Sequence, residues 1–85
     1  MSRPALARTA GILCSRTDFR NFLAERYPHA WAQFGALRDI ERAAAVIRAL
    51  CGIESRSELD SNPAVAQRFH TKLGFPFSAW RRSIK

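Results

Sequence analysis

Four side chains in this 85-residue sequence are cysteine or histidine and could in principle bind zinc: Cys14, Cys51, His29 and His70. No two of them stand at a ligand spacing such as C-x-x-C or H-x-x-x-H, so the pattern points to no zinc site. A nucleophile–base–orienter set would need His29 or His70 beside a serine or cysteine, and no local motif supplies one. Glu25, Asp39 and Glu41 have arginines close by and read as surface pairs. A chain this short rarely encloses a pocket of substrate size. The expectation is a non-enzymatic protein with no catalytic residue, no cofactor, no metal and no small-molecule substrate. Cys14 and Cys51 each sit among apolar neighbours and read as buried thiols in a reducing cytoplasm; the sequence alone does not bring them together.

The charge carries more information. Fourteen Lys and Arg against seven Asp and Glu give a formal charge of +7. Such an excess favours acidic partners, which here means an acidic protein surface, a nucleoprotein complex, or DNA or RNA directly. The stretch 63–85 contains Arg68, Lys72, Arg81, Arg82 and Lys85 and no acid. Arg68 and Lys72 are four apart and share one edge of a helix. Trp80 precedes Arg81 and Arg82, and cations beside an aromatic ring suit a phosphate backbone, where charge displaces counterions and the ring stacks on a base. Cations in the last turn of a helix also stabilise its dipole without any partner. Two further features are candidates for binding. Trp31 with Phe34 forms either a lid over the core or an exposed interface anchor. Arg38 and Arg42 flank Ala45 and Ala49 on what reads as the outer face of a helix, able to seat a partner helix or simply to face water.

The elements that must position these residues are helical. Valine and isoleucine are sparse, period-two alternation is absent and alanine is abundant. A first helix spans about Pro4 to Cys14, with Leu6, Ala10 and Leu13 at helical spacing. A second follows Ser15, with Asp18 completing a weak capping box, and stops at Tyr27-Pro28. One helical turn around Trp31 and Phe34 fits before Gly35. The clearest helix runs from about Leu37 to Cys51; Ile40, Ala43, Ala44, Ile47, Leu50 and Cys51 gather on one arc and Gly52 terminates it. Ser55-Arg56-Ser57-Glu58 is a capping box that opens a short helix ending at Ser61, and Asn62-Pro63 starts the last long element. Val65, Phe69 and Leu73 form its stripe, Gly74 and Pro76 should break or kink it, and Phe77, Trp80 and Ile84 continue an apolar stripe. The fold class is thus all-α, a single small domain over 1–85 built from four to five short helices. Its core draws on Leu6, Leu13, Phe19, Phe22, Leu23, Ile40, Ile47, Leu50, Leu59, Val65, Phe69 and Leu73.

Several classes fall away. With 47% hydrophobic residues the chain is not intrinsically disordered, and its length excludes a multidomain enzyme. The longest uncharged N-terminal stretch, Thr9 to Ser15, is too short for a signal-peptide core, and nothing reads as a membrane span. Arg3, Arg8 and Arg16 without an acid in the first seventeen residues have the composition of a mitochondrial presequence, but read better as a basic first helix of the fold. A helix-turn-helix centred on Gly52 would have a recognition helix under two turns long that presents Glu58 and Asp60, which repel phosphate, so sequence-specific major-groove reading is disfavoured.

Leu50-Cys51-Gly52-Ile53, then Ser55-Arg56-Ser57-Glu58-Leu59-Asp60, then an aromatic-spaced helix ending in Phe77 and Trp80, together resemble small proteins encoded in phage and prophage early regions. The first half, Leu13-Cys14 followed by Phe19, Phe22 and Leu23, is similar to the same group. The resemblance covers most of the chain but rests on capping and core positions, and it transfers no catalytic residue. It implies an accessory, host- or defence-directed role in the host-cell cytoplasm, such as that of an anti-CRISPR protein. The Gly74–Pro76 break departs from the continuous terminal helix of that group.

Overall fold

The computed structural model describes residues 5–83, and among these every regular element is helical. In chain order they are α1 (Leu6–Cys14), α2 (Thr17–Arg26), α3 (Pro28–Gln33), α4 (Asp39–Cys51), α5 (Glu58–Ser61) and α6 (Pro63–Phe69), which passes through one π-helical turn (His70–Gly74) into α7 (Phe75–Ser83). The all-α class is as expected. The count is higher because α3 is a helix in its own right and the π turn divides the last element into α6 and α7. Pro4, expected at the start of the first helix, lies outside the described residues, as do Ile84 and Lys85.

The central element is α4, which packs against α1, α2, α3 and α6. Every residue from Ala43 to Ile47 is buried. Alanines at three of those five positions let neighbouring helices approach closely from more than one side. The buried arc is therefore wider than the sequence pattern implied, and it is rotated. Val46 and Ala45 are inside, while Ile40, expected in the core, is 53% exposed in the first turn. Of the pair Ala45 and Ala49, expected on an outer face, only Ala49 is exposed. The rest of the core is built by Ala10 and Cys14 of α1, Phe19, Phe22 and Leu23 of α2, and Leu59, Val65, Phe69, Leu73 and Phe77 from the second half. Leu6, Leu13 and Leu50 pack against this cluster from partly buried positions.

Helix ends follow local chemistry. Gly52 ends α4 with φ of 69°, the left-handed conformation that costs glycine nothing. Asn62 caps α6, its Oδ1 accepting from the Ala64 amide at 3.0 Å, with Pro63 at the first helical position. The capping box before α5 closes differently from the pattern: the Glu58 carboxylate accepts from the amides of Glu54 (2.9 Å) and Ser55 (3.1 Å), and the Ser55 hydroxyl accepts from the Ser57 amide. The expected box at the start of α2 does not form. Ser15 donates to the Ile12 carbonyl instead, and Asp18 pairs with Arg16, the N-cap residue.

At Gly74 and Pro76, the site of the expected break or kink, the α-helix is interrupted by the π turn but the chain stays helical. Pro76 has no N–H and its ring would clash with the Lys72 carbonyl four residues back in an α-helix. One turn of π-helix absorbs the conflict: the Phe75 amide bonds the His70 carbonyl, five residues away, and the chain continues helically to Ser83. Phe77 and Trp80 are thereby carried onto α2, where Phe77 meets Phe19 edge-on at 5.1 Å and Trp80 meets Phe22 at 5.8 Å.

Candidate binding surface

The residues singled out for binding fall into three places. Arg68 and Lys72 converge on the C-terminal end of α4. The Lys72 ammonium donates to the Leu50 carbonyl at 3.1 Å, and the Arg68 guanidinium lies 3.9 Å from where a β-carbon on Gly52 would stand. Both cations thus face the negative end of the α4 dipole. Trp31, Arg38 and Arg42 sit at the opposite end of α4, about 20 Å away for thirteen residues at 1.5 Å each. Arg42 stacks its guanidinium 4.1 Å from the centre of the Trp31 ring and donates through Nε to the Trp31 carbonyl at 2.7 Å. Trp31 is half-buried, so it is a lid held down by an arginine, while Arg38 is exposed at the N-cap of α4.

The third place is α7 against α2. Trp80 is half-buried, stacked on Phe77, and its indole N–H donates to Glu25 at 3.1 Å. Arg81 lies 3.5 Å from Asp18 and over the Phe77 ring. Arg82 is exposed, and Lys85 lies outside the described residues. The tail therefore has aromatic and basic side chains close together as the sequence implied, but Trp80 is already hydrogen-bonded and Arg81 already paired.

The carboxylates explain why so much positive charge is left over. Asp60 reaches across to the start of α1, accepting from the amides of Leu6 (2.6 Å) and Ala7 (3.3 Å), where Ala5 offers no side-chain cap. Glu58 is taken by its own loop and Glu25 by Trp80. Asp39 and Glu41 occupy the first turn of α4, where the helix dipole favours them. Among the described residues only Arg16 and Arg81 have a carboxylate within 4.0 Å, and both use Asp18. Apart from Asp18 and Glu54, the acids lie at backbone ends or on an indole rather than beside arginines.

One cation cluster was invisible in the sequence. Arg8 of α1, Arg48 of α4 and Arg56 of the loop before α5 line a single cleft of about 560 Å³ together with Ser55 and Ser57. Arg48 and Arg56 are half-buried. The Arg56 guanidinium lies so close over α1 that a β-carbon on Gly11 would stand 2.8 Å from it. The three arginines belong to three different elements, so no spacing along the chain could reveal them. Beneath the cleft, burial pushes the Cys14 thiol above its ordinary pKa, with Arg56, Arg48 and Arg20 pulling the other way. Burial also raises Cys51 against Lys72 and Arg68. Both thiols are free and buried.

A wider groove of about 1040 Å³ between α1, α6 and the π turn is mainly apolar, with Phe75 69% exposed and stacked on His70 at 5.9 Å. Among the described residues no group of three or more His, Cys, Asp or Glu is placed to hold a metal ion, and no helix is long and apolar enough to cross a membrane. No family model, curated protein or solved structure matches the chain.

Proposed function

We propose that this chain is a non-enzymatic, phage-type accessory protein that acts in the host cytoplasm by stoichiometric binding to a nucleic-acid-processing complex, in the manner of an anti-CRISPR protein. The observation that carries the binding reading is the division of labour among the acids. With Asp60, Glu58 and Glu25 committed to amides and an indole, the arginines outnumber the carboxylates available to them, and most of their charge has no carboxylate beside it. A surface of that kind is completed by an acidic partner. The phage-type role rests on the sequence resemblance.

Direct contact with DNA or RNA is the second reading, favoured by one specific feature: three arginines and two serines line one cleft at the α1–α4 face. Affinity capture from host or infected cells, with and without nuclease, separates the two. Retention of the same nucleic-acid-processing protein after nuclease supports the first. Recovery of nucleic acid alone, with every protein lost after nuclease, supports the second. Capture of neither overturns the binding function itself.

A further inference from the structure

We infer that the cleft formed by Arg8, Arg48 and Arg56 is a phosphate-binding site, with one hydroxyl of the Ser55–Ser57 pair, whose oxygens are hydrogen-bonded at 3.0 Å, as an additional donor. This deepens the reading of an acid-seeking surface and rests on it, by naming the chemical group and the place. Guanidinium forks match the geometry of phosphate oxygens, and several converging on one concavity bind a phosphate far better than the same number scattered over a surface. All three arginines line the same concavity, and among the described residues none has a carboxylate within 4.0 Å.

Two carboxylates also border the cleft and must be accounted for. Asp60 is committed to the Leu6 and Ala7 amides at the start of α1. Glu54 is exposed, and what anchors its position is its main-chain amide, held by Glu58; its own side chain serves no cap. Glu54 is thus a rim charge that weakens anion binding, and its removal should have the opposite sign to removal of an arginine.

The local architecture places Arg56 for this role. Gly11 is the one glycine of α1, where alanine would favour the helix by about 1 kcal/mol. A β-carbon there would stand 2.8 Å from Arg56 Nη1, so the guanidinium would have to shift. The absence of a side chain at residue 11 lets the arginine lie along α1 at the cleft, half-buried, instead of extending into water. Burial of that kind strengthens its attraction for an anion, because the surroundings screen less than water does. The bound group is a phosphate, supplied either by a nucleic-acid backbone or by a free phosphate compound.

The test uses the full chain and two probes: inorganic pyrophosphate and a short single-stranded oligonucleotide, with the amide resonances of Gly11, Ser55 and Ser57 followed by NMR. Saturable shifts at these amides on adding pyrophosphate are expected, with affinity falling about tenfold in Arg56→Ala and rising about threefold in Glu54→Gln. If the oligonucleotide moves the same amides and competes with pyrophosphate, the backbone is the source. If only pyrophosphate moves them, a free phosphate compound is the source, and the cleft stands while direct nucleic-acid contact falls. Oligonucleotide binding while neither probe moves these amides keeps the acid-seeking surface and overturns the cleft. An unchanged pyrophosphate affinity in both variants overturns it too. Should Arg56→Ala fail to fold, Glu54→Gln decides alone, since its side chain holds no structural contact: no tightening contradicts the site.

Discussion

The hydroxyl of Tyr27 donates a 2.6 Å hydrogen bond to the main-chain carbonyl of Lys72, forty-five residues further along the chain. That carbonyl is the one an α-helix would pair with the amide of residue 76, and residue 76 is a proline. The π turn and the tyrosine together resolve a conflict written into the last helix: one moves the carbonyl aside and the other satisfies it. The ammonium of the same Lys72 closes the end of α4 on Leu50, so a single residue ties the π turn to two other parts of the fold.

Tyr27→Phe should therefore destabilise the protein by about 1 kcal/mol, the usual net worth of a neutral hydrogen bond. When Pro76→Ala is added to Tyr27→Phe, it restores an amide that can reach the Lys72 carbonyl, and the cost of losing the hydroxyl should shrink. Urea unfolding of the four proteins in the double-mutant cycle measures this coupling. Additivity would mean that the two residues act independently.

Arg42 fastens Trp31 by a stack and a hydrogen bond at once. Lysine retains the charge but has neither the planar face nor the fixed donor. Arg42→Lys should cost about 1–2 kcal/mol and move tryptophan emission to longer wavelength as the Trp31 lid loosens. Denaturant midpoint and emission maximum check the two effects separately.

Two carboxyls give stability a definite dependence on acid. Hydrogen bonds from the Glu54 and Ser55 amides hold Glu58 below its ordinary pKa, and the Arg16 guanidinium hydrogen-bonded to Asp18 does the same there. A carboxyl with a lower pKa folded than unfolded binds more protons when unfolded, so stability rises with pH through that interval. The contribution is fully present above the unfolded values, about pH 4. It is lost as pH falls through the folded ones. The thermal midpoint should drop below about pH 4, and Glu58→Gln should flatten the drop. A midpoint insensitive to acid in both proteins would contradict the assignment.

Cys14 and Cys51 are buried, and burial raises both thiols, so little thiolate exists at neutral pH. In the native protein a disulfide reagent should modify neither at a rate above that of unfolding, and both should react at once in denaturant. Fast modification of either thiol under native conditions would show that the core opens at that point.

The sequence revealed most of the scaffold because its signals were local. The helix expected from about Leu37 to Cys51 with Gly52 behind it, the Asn62-Pro63 start and the Tyr27-Pro28 stop are each set by a few neighbouring residues, and each lies at or close to its expected place, the helix starting at Asp39. What depended on distant partners was not legible. The arc of α4 turned because helices approach it from several sides, leaving Ile40 outside and Val46 inside. Pro76 read as a break or kink, and nothing nearby announces that the interruption will be a π turn whose orphaned carbonyl Tyr27 takes up. The same limit applies to the binding surface. Arg68, Lys72, Trp80 and Arg81 stood out by clustering along the chain, yet each is turned toward another part of the fold. Arg8, Arg48 and Arg56 share a cleft only after α1, α4 and the loop before α5 have assembled.

The acid-seeking character of the surface is tested most directly by the salt dependence of polyanion binding. Fluorescence anisotropy of a labelled DNA duplex, titrated with protein from low to moderate KCl, gives the observed constant at each concentration. If the arginines are free to neutralise phosphates, its logarithm falls linearly with the logarithm of salt, with a slope of about −0.9 for each phosphate engaged. Binding that is absent at low salt, or indifferent to added salt, would mean that the charge is spent inside the molecule.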